Sequence, residues 1–447
     1  MAFTQSTLHG ISAPIPCQKP LDIPARTCDL AVMSNSSEKP ENRSGQDNVD
    51  AIINGGGLVG LALGCALAGA GLRIVVIDRD DPATMLDAPY DGRSSAIAWA
   101  SQQALAGIGV WSHVAERAQA MLDIRVSDGA SPLFLHYDHR ELDGEPFGYM
   151  VENRHMRQAL HARAAELPGL QLLAPCTADE INRHDNGVDV VLSDGRNIQA
   201  RLFVGAEGRR SPSRQDAGIT VSGWSYHQVG IVCTVRHQHP HHGIAQERFL
   251  PSGPFAILPL VGNRASLVWT ETDALAPVMM ALDDADFLAE IGKRFGDYLG
   301  ELELEGPRWS YPLTLQIADR YIDKRLALAG DSAHGMHPIA GQGLNVGLRD
   351  VAALTEVLVD AARLGLDIGS DDVLARYQRW RRFDNATLLA VTDVLNRLFS
   401  NDIEPVHMAR DIGLAAVNKM PELKKLFMRH ARGTVGKLPK LLDGKPL

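Results

Sequence analysis

Six residues, Gly55-Gly56-Gly57-Leu58-Val59-Gly60, have a GxGxxG spacing directly after an apolar run (49–54) and directly before a helix-like run (61–71). A second apolar run, 72–78, ends on Asp78. Strand, glycine turn, helix and strand make a βαβ unit that can bind a dinucleotide. The first glycine (Gly55) permits a tight turn, the second (Gly57) lets the backbone approach a pyrophosphate, and the third (Gly60) lets the helix pack on the strand. The helix N-terminus faces the phosphate charge. Asp78 then accepts a hydrogen bond from a ribose hydroxyl. The bland alternative is a glycine-rich packing turn with Asp78 at an exposed strand end. Strand, helix and acid in one register favour the dinucleotide.

A second constellation begins at Arg325-Leu-Ala-Leu-Ala-Gly330-Asp331-Ser332-Ala333-His334 and continues through His337-Pro338 to Gly341-Gln342-Gly343-Leu344-Asn345. A buried strand here runs into a glycine-rich loop, and a helix opening near Gly343 would aim backbone N–H groups at an anionic ligand. A third segment, Gly205-Ala206-Glu207-Gly208-Arg209-Arg210-Ser211-Pro212-Ser213-Arg214, places a carboxylate and three arginines after another strand. The plain reading of that segment is a strand end followed by a basic solvated turn.

Together these runs resemble the class A flavoprotein monooxygenases, and specifically the ubiquinone-biosynthesis hydroxylase (UbiH/UbiF) family. The resemblance spans roughly residue 49 to the C-terminus. It implies that Gly330 and Asp331 hold the ribitol or ribose of FAD and that the loop containing Pro338, Gly341, Gly343, Leu344 and Asn345 lies against the flavin ring. Glu207-Gly208 would correspond to an element that touches FAD and the passing NAD(P)H, with Glu207 standing where the family has Asp. By the same resemblance Arg93, in Asp91-Gly92-Arg93-Ser94, lies near the flavin. Glu152, Asn153 and Arg157 lie near the cofactor cleft, and the Gly253-Pro-Phe-Ala-Ile-Leu258-Pro259-Leu strand, with Trp269 on the next strand, lines the substrate cavity. Two further departures are Asn54, where an aliphatic residue usually precedes the first glycine, and Arg432, where Met is common.

The implied fold is an α/β FAD-binding Rossmann-like domain (GR2-type, para-hydroxybenzoate hydroxylase-like) interleaved with a β-sheet substrate domain and followed by a helical C-terminus. The expected division is 48–125, 150–215 and 320–365 for the discontinuous FAD domain, 126–149 and 216–319 for the substrate domain, and 366–447 for the helical region. The substrate domain is read from short β-rich runs at 188–192, 229–235, 255–260 and 266–270, separated by Gly, Pro and Asn turns. Residues 1–47, rich in Pro, Ser and Asn, read as a disordered leader without a secretory core, and Met33 is an alternative start.

The implied chemistry is reduction of FAD by NADH or NADPH, followed by transfer of oxygen from O2 to an electron-rich ring. The expected substrate is a lipid-like phenol of ubiquinone biosynthesis. The rivals are a prenyl reductase or epoxidase on the same scaffold, or a non-catalytic flavin-binding subunit of a quinone-biosynthesis assembly; other proteins of that route are candidate partners. The flavin carries the hard chemistry, so no catalytic side chain is assigned.

Bulk properties bound the rest. In 447 residues, 45% apolar and 22% charged, there is material for more than one core. A formal charge of −10 argues against nucleic acid as a partner. Five dispersed cysteines form no CxxC pair, which suits a reducing cytoplasm. No metal site is expected: His237, His239, His241 and His242 crowd a turn, but their spacing fixes no coordination geometry. Ser211 follows Gly208 without GxSxG spacing, so no hydrolase elbow is read. The uncharged stretch 51–72 could span a bilayer by length, yet its glycines belong to the dinucleotide turn. Peripheral attachment to the inner face of the membrane is expected instead from a basic amphipathic helix beginning at Pro421. There Leu423, Leu426, Phe427 and Ala431 share a face, and Lys424, Lys425, Arg429 and Arg432 fall around it, with Lys437 and Lys440 beyond, as charges that can meet an anionic leaflet. The alternative is that this stripe packs on the FAD domain.

Overall fold

The computed structural model describes residues 47–86, 92–129, 134–335, 343–399 and 420–447, with side chains of the long helix before 399 described only to 385. The first strand, Asp47–Asn54, lies at the centre of an eight-stranded sheet between Ile74–Ile77 and Asn197–Gly205, both parallel to it. Leu170–Leu173 and Leu326–Leu328 extend the parallel array on either side. Ile52, Ile53, Val75 and Val76 are buried, as continuous apolar strands covered on both faces must be.

The motif helix runs Leu58–Gly69, beginning three residues before the expected position because exposed Gly57 serves as its N-cap. Leu61 to Ala68 are all buried, packed against the helices Asn153–Ala165 and Gly343–Arg363. An all-apolar helix of this kind is a core element. That is why 51–72 reads like a membrane span. Among the described residues no helix is long and apolar enough to cross a membrane.

A second eight-stranded sheet is built mainly from Leu302–Ala318, Val221–His237, Arg264–Thr272, Gly253–Leu260 and Ile244–Leu250, each antiparallel to the next in this order. Asp123–Asp128 joins it in parallel with Ile244–Leu250, so this strand straddles the 125/126 boundary expected from sequence. One face is covered by the helices Ala276–Ala281 and Asp284–Phe295. A three-stranded sheet, Ser94–Ala98, Gly148–Glu152 and Gln119–Met121, packs on the other through Ala96, Met121, Met150, Leu258 and Leu260. After residue 343 the described chain is helical: Gly343–Arg363, Asp371–Phe399 and Pro421–Ala431.

Candidate functional site

At the end of the first strand the chain turns through Gly55 at φ +110°, where a Cβ would fall 2.4 Å from the Ala206 carbonyl oxygen. A Cβ on Gly60 would fall 1.8 Å from the Gly55 oxygen, while a Cβ on Gly57 meets nothing within 4 Å. Two positions are thus closed to any side chain, and the third opens an uncovered helix N-terminus to an anion. Asp78 stands beside it, accepting from Gly56 N at 2.5 Å and from Asp80 N at 2.8 Å. This cradle fits a pyrophosphate and its ribose.

The Gly330–Asp331 turn leaves the same edge of the parallel sheet as the glycine cradle and meets the start of its helix. A Cβ on Gly330 would lie 3.2 Å from the Val59 methyls, and one on Gly347 would lie 2.6 Å from them. Both glycines therefore let the turn and the Gly343–Arg363 helix close on the GxGxxG helix. The Asp331 carboxylate stays 48% exposed and pairs with Arg209 at 3.2 Å. Arg209 also donates to the Thr314 carbonyl, so the third sequence run bridges the cofactor turn to the large sheet. Gly208 N donates to Ser332 Oγ at 3.1 Å, and buried Arg214 donates to the Ser332 and Arg209 carbonyls at 2.9 and 2.7 Å.

Glu207 does not share that outward direction. Its carboxylate accepts from Asn54 Nδ2 at 2.9 Å, from Ser211 Oγ at 2.6 Å, and from both the backbone N and the hydroxyl of Ser213. Asn345 is likewise turned inward: it accepts from Ala98 N at 2.9 Å and donates to the Ala96 carbonyl at 2.8 Å, bracing the Ser94–Ala98 strand. Asn153 accepts from Ser95 Oγ at 2.6 Å, and its backbone N donates to the Arg93 carbonyl at 2.9 Å. Arg93 itself is exposed, on a turn whose Gly92 abuts Trp309, and Arg157 is buried on the following helix. Gly343 and Leu344 form the first turn of their helix, whereas Pro338 and Gly341 lie outside the described residues.

Glu152 ties the small sheet to the large one through Arg264, at 3.2 Å, which also pairs with Glu305 at 2.6 Å. Burial alone would raise the Glu152 carboxyl, but hydrogen bonds from His155 and Arg264 hold it down to about 2.

The substrate strand requires a correction. Strand side chains alternate between faces, and Trp269, opposite Phe255, points into the helix-covered core with Phe287, under the Arg294 guanidinium. Leu258, opposite Ser266, points the other way, toward Ala96 and Met150. Trp269 and Leu258 therefore cannot line one cavity. Pro259 follows the parity of Trp269 and is buried. On the Leu258 face, Ala256, Val268, Trp309 and Tyr311 are half-buried, with Trp309 beside Val232 and Tyr311 beside Gly230. A Cβ on Gly92 would fall 2.2 Å from Trp309 Nε1, so this wall adjoins the Arg93 turn. Trp309 and Tyr311 escape a motif reading because the long strand that carries them has no signature of its own.

The tail also differs from expectation. Lys424 and Arg432 are buried and paired with Glu141 and Asp143 at 2.7 and 2.6 Å, and Met428 is buried in an apolar cluster with Leu135, Tyr137, Phe147 and Phe249. Leu426 and Phe427 are 50% and 40% exposed on the outward side, with Met420 also exposed. In the histidine-rich turn, His241 donates to the Leu260 carbonyl and accepts from Gly243 N, while His237 pairs with the His239 carbonyl. Two of the four histidines thus serve the backbone.

Residues 48–389 match the FAD binding domain family. The chain is 55% identical to ubiquinone hydroxylase UbiL of Rhodospirillum rubrum over 92% of its own length and 96% of that protein's. It is 37% identical to the 3-demethoxyubiquinol 3-hydroxylase of Escherichia coli, covering 85% of this chain and 97% of the other. Among solved structures, p-nitrophenol 4-monooxygenase PnpA from Pseudomonas putida superposes with a TM-score of 0.73 at 21% identity, covering 88% of this chain and all of that one, which is a likeness of fold. By that family match and these identities over most of both chains, the chain belongs to the FAD-binding-domain family, in its branch of ubiquinone-biosynthesis hydroxylases, and is an FAD-dependent monooxygenase.

Proposed function

We propose that the protein uses NADH or NADPH and O2 to hydroxylate the ring of a polyprenylated phenol or quinol on the route to ubiquinone. The observation that carries this reading is the half-buried apolar and aromatic wall of Ala256, Leu258, Val268, Trp309 and Tyr311, set beside the turn that carries Arg93. An aromatic ring packs favourably against such a surface, and a lipid tail finds no charge in it. The names of the curated relatives, a ubiquinone hydroxylase and a demethoxyubiquinol hydroxylase, support the same substrate class.

Gly55, Gly57, Gly60 and Asp78 would hold the adenosine and pyrophosphate end of FAD, and Gly330 and Asp331 its ribityl side. The helix start at Gly343 and Leu344, with Pro338 and Gly341 before it, would adjoin the ring. Arg93, Asn153 and Arg157 would close the cleft, with Asn153 and Asn345 acting by holding the Arg93 turn and the Ser94–Ala98 strand in place. Glu207 and Gly208 would shape the turn that presents Arg209. Bound FAD supplies hydride acceptance and oxygen activation, and the wall keeps water from the reacting ring. The exposed Leu426 and Phe427, flanked by Lys425 and Arg429, would meet the lipid surface that holds the substrate.

The test is steady-state oxidation of NADH and NADPH by the purified holoprotein, with and without prenylated phenols. Oxidation stimulated by the phenol and matched by hydroxylated product supports the reading. Reduction of the prenyl chain or epoxidation of it, with the ring untouched, overturns it.

A further inference from the structure

Asp350, on the helix Gly343–Arg363, is 0% exposed, yet it lies in none of the contacts expected for a cofactor. Its Oδ2 accepts from Gly330 N at 2.9 Å and from His334 Nε2 at 2.5 Å, and its Oδ1 accepts from Arg381 Nε at 2.7 Å. Gly330 and His334 are the two ends of the turn that carries Asp331, and Ala333 N closes that turn onto the Gly330 carbonyl at 2.9 Å. One carboxylate therefore clamps both ends of the turn from below while Asp331 projects above it.

The clamp is itself braced. Arg381, 1% exposed, also donates to Asp384 at 2.7 Å and to Asn385 at 2.5 Å. Asp384 accepts from Arg349, which reaches the Gly433 carbonyl at 2.6 Å. Acid and base alternate along this line, so no buried charge stands alone. A buried ion pair is weak evidence for stability, because apolar side chains of like volume often stabilise as much or more. What a satisfied polar network provides better is a fixed geometry.

We propose that Asp350 is a positioning residue for the cofactor: it fixes the Gly330–His334 turn so that Asp331 meets the ribityl side of FAD, with Arg381 as its counter-charge. This rests on the reading that Asp331 binds FAD. The glycine cradle meets this turn and helix only through the Val59 methyls beside Gly330 and Gly347, and the Asp350 hydrogen bonds to Gly330, His334 and Arg381 reach none of Gly55, Gly57, Gly60 or Asp78. Asp350 therefore governs affinity for the flavin half of FAD and leaves affinity for ADP, a probe of the cradle alone, untouched.

The test compares Asp350→Asn, His334→Leu and Asp331→Ala full-length proteins, titrating the stripped proteins with FAD and separately with ADP, and following thermal unfolding without ligand. Asn keeps the size of Asp350 but presents one acceptor oxygen and no charge to three donors. The expected result is a roughly tenfold or greater loss of FAD affinity in Asp350→Asn, with ADP affinity within about twofold of the parent, and a similar but smaller pattern in His334→Leu. Equal loss of FAD and ADP affinity would reduce Asp350 to a structural residue and overturn the proposal. So would unchanged FAD affinity in Asp350→Asn while Asp331→Ala is weakened. Unchanged FAD affinity in Asp331→Ala would instead sink the reading of Asp331. Should Asp350→Asn not fold, His334→Leu decides alone, since it removes one donor and leaves the Arg381 pair in place.

Discussion

Asn54 donates its side-chain amide to Glu207 at 2.9 Å, across the parallel strands in which Asn54 lies beside Gly205. These are two of the three positions at which the sequence departs from its family's pattern, and each accounts for the other. An amide at a strand end that is usually aliphatic needs an acceptor, and the longer acid turns back to supply it. Glu207→Asp and Asn54→Val should each destabilise the fold by about 1–2 kcal/mol, whereas the double variant should lose less than the sum. Urea unfolding of the four proteins measures the coupling, and strict additivity would separate the two residues.

Flavin retention tests the cofactor cradle. Gly57→Glu places a carboxylate in the open space at the helix N-terminus, and Asp331→Ala removes the projecting acid of the Gly330–Asp331 turn. Both should purify with less bound FAD at unchanged secondary structure, read from the ratio of flavin to protein absorbance. Full stoichiometry in either would misplace the site.

The two faces of the large sheet make opposite predictions. Leu258→Asp or Tyr311→Ala opens the wall facing the small sheet, and should raise hydrogen peroxide release per NAD(P)H while changing stability less. Trp269→Ala empties the helix-covered core, and should cost about 3–5 kcal/mol of stability with coupling preserved in the folded fraction. A peroxide assay beside a melting curve distinguishes them; uncoupling by Trp269→Ala alone would reverse the assignment.

What was legible in the sequence is what local spacing encodes. The βαβ unit and the Gly330–Asp331 run declare themselves within a few residues, because turn and phosphate chemistry are local. The parity of the substrate strand is not local: both faces of Gly253–Leu260 are apolar, and only the helices after residue 275 show which face is core. Asp350 looks like a solvent charge on a helix until Arg381 arrives 31 residues later. Lys424 and Arg432 pair with acids 283 and 289 residues upstream, beyond any pattern rule. The resemblance sets Asn345 against the flavin ring, whereas its side chain spans two backbone groups of a strand that periodicity alone does not bring near it.

Acid should loosen the joint between the small three-stranded sheet and the large antiparallel one. The folded Glu152 carboxyl lies near 2 against an ordinary 4.5, so its contribution is complete above about pH 4.5 and fades as pH falls toward 2. Glu152→Gln should lose about 2–3 kcal/mol at neutral pH and show a flatter stability profile between pH 5 and roughly 3. Urea midpoints across that range check it; parallel profiles would remove Glu152 from the acid transition.

Membrane attachment should reside in the outward side of the last long helix. Leu426→Asp with Phe427→Asp should abolish flotation with anionic vesicles and leave bound FAD intact. Lys424→Ala breaks a buried pair instead, and should lower the melting temperature without that selective loss. Flotation undiminished by the outward pair would place the lipid contact on another surface.

The central claim is that this chain puts an atom of O2 onto an aromatic ring. Purified holoprotein given NAD(P)H, a short-chain prenylated phenol and ¹⁸O₂ should yield a product carrying one ¹⁸O on the ring, read by mass spectrometry. Product whose added oxygen comes from water, or a ring left unchanged while NAD(P)H is consumed, would contradict it.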